Sequence, residues 1–186
     1  MQHVRKKYAC KGCDDSIKSA PKADLLLSKS IASGSTMAYI ITSKYIDGLL
    51  LYRLSGILDR YGIEFSRKTL SESVLKVAEK IEPLTNYIKQ LLMSSPALFM
   101  DEIRVKVLNE PGKTPESNSY MWVQRGGPPD KPVVQFHYDA GRSAATAARL
   151  LNGFTGTFMT DGYKPYREVA KRQGLNHLCC WAHSRR

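Results

Sequence analysis

Long apolar runs are absent from this chain. No stretch approaches the ~18 consecutive apolar residues of a membrane-spanning helix, so no membrane partner is expected. Arg5, Lys6 and Lys7 make the start of the chain basic, but no apolar segment follows them, which argues against a secretory signal. Cysteine is scarce: the four residues lie in two distant pairs, Cys10/Cys13 and Cys179/Cys180. That is too few for a disulfide framework and fits a reducing, cytoplasmic setting. Acidic residues are also in short supply. Asp and Glu total 17 against 28 Lys and Arg, a net charge of +11. A chain this basic calls for an anionic partner: nucleic acid is the first guess, and a membrane surface, the second, is not carried forward.

What is present suffices for a folded protein. The 186 residues are 42% hydrophobic and 24% charged, ordinary values for one or two globular domains. Residues 1–34 are basic and carry little pattern. Within them Cys10-Lys11-Gly12-Cys13 is a Cys-x-x-Cys knuckle, half of a zinc ribbon, since structural zinc takes four N or S ligands. No second knuckle follows within the next ~20 residues, where common zinc spacings would put it. An exposed turn with two thiols is the competing reading. Zinc is therefore a doubtful cofactor, and residues 1–34 are assigned as a zinc-ribbon remnant with a basic linker.

Residues 35–95 read as helical. Met37, Ile40, Ile41 and Tyr45 mark one short amphipathic helix, and Tyr52 to Tyr61 a second, closed by Gly62. Ser66 is a candidate N-cap for a third, in which Leu70, Val74, Val77, Ala78 and Ile81 recur at helical spacing. Helix, glycine-containing turn, helix is the outline of a helix-turn-helix, whose second helix presents its first residues to DNA. Here those are Ser66, Arg67, Lys68 and Thr69. The alternative is an αα-hairpin with a solvated basic face. Pro83 then kinks or restarts the helix, and an apolar stripe of Leu84, Tyr87, Ile88, Leu91 and Leu92 runs to Ser94-Ser95-Pro96, the expected domain boundary.

After Pro96 the period changes to two. Ile103, Val105 and Val107 alternate with Arg104 and Lys106, predicting a strand from about 98 to 108 with Asp101 on the Ile103–Val105 face. Strands follow at 120–124 and 133–138, then a helix at 144–151, a strand ending in Thr160-Asp161-Gly162, a helix near 166–173 and a last strand at 175–180. The order βββαβαβ resembles a ribonuclease H-like fold. The expected class is α+β: an N-terminal helix-turn-helix-like region, then an incomplete ribonuclease H-like domain over 96–186. Both aspartates end apolar strands, where a carboxylate needs a partner for its charge. A divalent metal is one, and two such aspartates would suit phosphoryl transfer. Strand-end aspartates that cap turns are the plain alternative. Alternation turns Glu102 to the other face of its strand, away from Asp101.

Several stretches resemble the bacterial insertion-sequence sixty-six family of DDE transposases. They are Val4 to Cys13, Lys29-Ser30-Ile31-Ala32, Ser43 to Arg53, Met100-Asp101-Glu102, Thr160-Asp161-Gly162-Tyr163 and Cys180-Trp181-Ala182-His183-Ser184-Arg185-Arg186. The resemblance runs through nearly the whole chain. It implies DNA strand cleavage and transfer at transposon ends with Mg²⁺ or Mn²⁺, inside an oligomeric complex in the bacterial nucleoid. It makes Asp101 and Asp161 the first two metal-binding acids and sets Arg185 and Arg186 against DNA phosphate. The family's upstream cysteine pair and downstream glutamate have no counterpart in these residues, so a copy truncated at both ends is expected. Such a copy would be a transposase fragment, a DNA-binding remnant or an inert one. Glu102 and Glu168 are the first alternatives for a third acid. A zinc site from Cys179, Cys180 and His183 would be irregular in spacing.

Overall fold

The computed structural model describes residues 4–12, 17–21, 25–28 and 30–183, and the chain divides into two compact units, 1–81 and 82–186. In the first unit, β1 (Lys7–Ala9) and β2 (Ile17–Ser19) pair antiparallel and are exposed throughout. Cys10 follows β1 and is exposed, while Cys13 lies outside the described residues. Three helices follow: α1 (Gly34–Tyr45), α2 (Leu51–Arg60) and α3 (Arg67–Lys80). Hydroxyls set two of the starts. Ser33 accepts from the Thr36 amide at 3.1 Å and Ser66 from the Thr69 amide at 3.0 Å, each satisfying one orphan donor of its helix. Gly62, at φ 73°, takes the left-handed position after α2.

The unit closes on Leu27, Met37, Ile40, Leu54, Leu58, Phe65, Leu70, Val74 and Val77. The predicted stripe of α3 fades at its end, where Ala78 and Ile81 are exposed.

The second unit begins with α4 (Glu82–Met93), ahead of the Ser94-Ser95-Pro96 break. Pro83 sits in the first turn, so it restarts the helix. Ile88, Leu92 and Met93 of α4 pack into this unit's core, although Leu84 and Tyr87 stay exposed. Ser95 is buried and its hydroxyl accepts from the Gly127 amide at 2.8 Å, so Ser-Ser-Pro makes a tight corner.

The elements then run β3 (Ala97–Lys106), β4 (Asn118–Gly126), β5 (Val133–Asp139), α5 (Ala144–Leu150), β6 (Thr157–Thr160), α6 (Lys164–Gln173) and β7 (Asn176–Cys179). They form a five-stranded mixed sheet in the order β5-β4-β3-β6-β7. The β3–β4–β5 meander is antiparallel, and β6 adds parallel to β3, as does β7 to β6. Gly156 leads into β6 where a side chain would not fit: a Cβ there would lie 2.7 Å from the Pro96 carbonyl oxygen and 3.0 Å from that of Ser95. The Thr157 amide donates to the same Pro96 oxygen at 3.0 Å.

One face of the sheet is covered. Leu98, Met100, Trp122 and Phe158 pack with Leu92, Leu150, Tyr166 and Val169 of the helices. The other face is open, with Phe99 42% and Ile103 58% exposed. This corrects one expectation. Asp101 does share a face with Ile103, but that face is the open one and Asp101 is exposed. The carboxylate on the covered face, with Leu98 and Met100, is Glu102. Alternation fixes which residues share a face but not which face the helices cover.

His137 lies on the covered face of β5, opposite Trp122. Burial pushes its imidazole below the ordinary value, and Lys89 and Arg149 push the same way. The unfolded chain therefore takes up a proton first as pH falls. Stability should be level above about pH 6.5 and decline below it, by about 1.4 kcal/mol per unit of separation between the two states. Urea midpoints at pH 7.5 and 5.5 test this: the drop should shrink in His137→Gln, and an equal drop would place the effect elsewhere.

Candidate active site

Strand register brings the aspartates together. Leu98 pairs with Phe158 and Phe99 with Met159 in the parallel β3–β6 ladder. Two residues on from that last pair stand Asp101 and Asp161, level and on the same, open face. The end of β6 is pinned from below. Thr160 is buried, its hydroxyl lies 2.8 Å from Nε2 of His177 and accepts from the Gly162 amide at 3.2 Å, and His177 stacks on Phe158 at 4.6 Å. Gly162, at φ 85°, then turns the chain, and Asp161 Oδ1 accepts from the Tyr163 amide at 2.9 Å. Asp101 Oδ1 accepts from the Glu102 amide at 2.8 Å.

Glu102 joins them despite its opposite side of the strand. Among the described residues, Asp101, Glu102 and Asp161 each offer an oxygen within 4.8 Å of the other two. The Glu102 side chain is only 2% exposed and both its oxygens are engaged, one by Arg142 Nη2 and the other by the Tyr166 hydroxyl. The same Arg142 nitrogen lies 3.6 Å from Asp161 Oδ2, and the guanidinium sits 3.7 Å over the Tyr163 ring. Tyr166 is fully buried, with edge-on contacts to Trp122, Phe158 and Tyr163 at 6.1, 6.4 and 6.0 Å.

The electrostatics follow from burial and this pairing. Burial raises the Glu102 carboxyl above the ordinary range, although Tyr166 and Arg142 pull it down. Burial alone would lower Arg142, but Glu102 outweighs it and holds the guanidinium more firmly protonated. Burial, with Glu102 beside it, pushes the Tyr166 phenol far up, so its hydroxyl stays a donor.

A cavity of about 180 Å³ opens beside the acids, lined by Phe99, Asp101, Val123, Met159, Asp161 and His183 among others. Two carboxylates there suit Mg²⁺, which binds through one or two and keeps several waters. Cys180 also lines this cavity, and Cys179 is exposed. Glu168 is not part of the group: it pairs along α6 with Lys164 at 3.9 Å. Arg185 and Arg186 lie outside the described residues.

In the first unit, Arg67 and Lys68 are exposed at the start of α3, and Lys68 pairs with Glu72 at 3.8 Å. They line a cleft of about 780 Å³ with Lys44, Tyr52 and Ser66. The Ser66 hydroxyl caps the helix, and the Thr69 hydroxyl lies 2.8 Å from it.

The family model described as transposase IS66 family matches residues 29–186. The chain belongs to this transposase family. Two relatives from Sinorhizobium fredii, uncharacterized protein y4jD and uncharacterized protein y4qI, are each 32% identical over 98% of the chain. The chain spans only 38% and 36% of their respective lengths. A solved structure, the cryo-EM structure of a simian T-cell lymphotropic virus intasome in complex with PP2A regulatory subunit B56 gamma, is similar at 13% identity and a TM-score of 0.36. That likeness covers 48% of this chain and 33% of the other, too slight to support an argument. Among the described residues of this IS66-family chain, no helix is long and apolar enough to cross a membrane.

Sequence reasoning paired the aspartates, turned Glu102 away from Asp101 while keeping it as an alternative third acid, and missed Arg142 and Tyr166. Two signals were there to use. Glu102 is a carboxylate in phase with Leu98 and Met100, and Tyr166 stands in the first turn of the helix after Asp161.

Proposed function

We propose that this chain supplies the metal-binding acids of a DNA strand cleavage and transfer centre that acts on transposon ends. The observation that carries this reading is the level placement of Asp101 and Asp161 on adjacent parallel strands, with oxygens within 4.8 Å. The βββαβαβ order and the β5-β4-β3-β6-β7 sheet support a ribonuclease H-like core. Asp101 and Asp161 would hold Mg²⁺ or Mn²⁺, and the ion would stabilise charge on a phosphodiester under attack. The chain's own residues do the positioning: Thr160 and Gly162 fix the turn bearing Asp161, and the open face leaves both carboxylates accessible to a bulky polymer. In the decisive test, Mg²⁺-dependent nicking of transposon-end DNA by the full-length transposase is lost in Asp101→Ala, a drop of roughly a thousandfold or more. Full activity in that variant would sink the proposal.

In the first unit, Arg67 and Lys68 are positioned to neutralise DNA phosphate, with α2 and α3 acting as a helix-turn-helix. Replacing both with alanine should weaken DNA binding and flatten the salt slope by roughly one unit per lost contact. An unchanged slope in a salt titration would return them to a solvated surface.

A second reading has its own observation. Arg142 and Tyr166 engage both oxygens of Glu102, leaving two carboxylates for metal. On this reading the 186 residues alone bind DNA ends without strand transfer, and activity needs a further acid from the remainder of a longer polypeptide or from a partner chain in an oligomer. Strand transfer by the isolated chain would refute it.

A further inference from the structure

The Glu102–Arg142 pair lies within reach of both aspartates, and its role is not that of another ligand. We infer that Glu102 is a positioning residue: it serves as the counter-ion that seats Arg142 against Asp161, so that the centre presents the charge for one divalent cation. This rests on the metal reading of Asp101 and Asp161 and goes beyond it by assigning Glu102, Arg142 and the stoichiometry of the site.

Three observations support the assignment. The Glu102 side chain is 2% exposed, whereas the Asp161 side chain is 26% exposed and Asp101 is exposed. A cation entering from the cavity therefore meets the aspartates first. The Glu102 oxygens are also divided between two donors, Arg142 Nη2 and the Tyr166 hydroxyl, and Tyr166 is held by rings on three sides. Turning Glu102 toward a metal would strip a half-buried guanidinium and a fully buried phenol of their partner, which is unfavourable. Finally, Arg142 Nη2 spans Glu102 and Asp161, so three carboxylates and one guanidinium leave two negative charges. That matches one Mg²⁺ or Mn²⁺. Glu102 acts through Arg142: without it, the guanidinium would pair with Asp161 alone and compete with the metal.

The test is Mn²⁺ binding to the full chain at pH 7.5, followed by calorimetry and by the loss of the free-ion paramagnetic resonance signal. Wild type should bind one equivalent. Glu102→Gln should bind about tenfold more weakly, within the range typical of outer partners of metal ligands. Adding Arg142→Met to Glu102→Gln restores the net charge and should bring affinity back to within about threefold of wild type. Replacing both members of a buried ion pair is commonly tolerated, so the double variant can decide the matter even where the single one fails to fold. If Glu102 were a ligand, the double variant would stay as weak as Asp161→Asn, and the inference would fall while the metal reading stood. Two saturable equivalents in wild type would also overturn it. If wild type took up no Mn²⁺, or if Asp101→Asn and Asp161→Asn bound it like wild type, the metal reading would fail and this inference with it.

Discussion

Asp161→Asn should lower Mn²⁺ affinity by at least about 100-fold, beyond the 10–100-fold usual for residues behind a metal ligand. The substitution removes a charge and keeps the shape. Asparagine retains Oδ1, so the 2.9 Å bond from the Tyr163 amide survives and the turn at Gly162 is preserved. Only the Oδ2 side changes, where Arg142 lies at 3.6 Å. An effect confined to metal binding, with the urea midpoint little altered, would mark Asp161 as a ligand. Asp101→Asn should behave alike, since the amide oxygen can still accept from the Glu102 amide. A metal titration superimposable on wild type in either variant would mean that the aspartate only caps its strand.

The largest effect on stability is expected from Tyr166→Ala. Tyr166 is fully buried among Trp122, Phe158 and Tyr163 and bonds the Glu102 carboxylate. Deleting a buried aromatic ring costs about 3–5 kcal/mol. Leaving a buried carboxylate short of a donor adds about 1–3 kcal/mol. Against a typical total of about 5–15 kcal/mol, the second unit would keep little of its stability. Tyr166→Phe keeps the ring and loses only the hydroxyl, so it should cost about 1.5–3 kcal/mol. Urea titrations read by near-ultraviolet circular dichroism separate the two. Equal losses would mean that the hydroxyl, and not the ring, supports the core.

Much of the architecture was legible because local signals agreed. Ser66 as an N-cap, Gly62 at the end of α2, and the change of period after Pro96 all mark places where one residue type satisfies one backbone need. The boundary at Ser94-Ser95-Pro96 is different. A Ser-Ser-Pro corner looks the same whether it separates units or turns the chain within one, and the decision rests with Leu92, whose burial partners lie far along the chain. The site was legible to the same depth. Asp101 and Asp161 end apolar strands and can be found one strand at a time. Glu102 was set aside by alternation, a sound rule for where a Cβ starts but not for where a longer side chain ends when a guanidinium from the other end of the meander waits to receive it. Arg142 gave no local sign, because its meaning depends on three separate elements meeting.

The separation of the two aspartates is governed at the opposite end of their strands. Gly156 has no room for a side chain beside the Pro96 and Ser95 carbonyls. That close approach sets the start of β6 against β3, and β6 is four residues long. At about 3.3 Å per residue, the contact lies roughly 17 Å from Asp161. The chain thus has an alignment stop for its carboxylates, remote from them and containing no ionisable group. The hairpin loops at 107–117 and 127–132 lie outside this gauge, so they can vary in length while the acids keep their spacing. Position 156 has no such latitude, since even a methyl group there would push the two strands apart where their pairing begins.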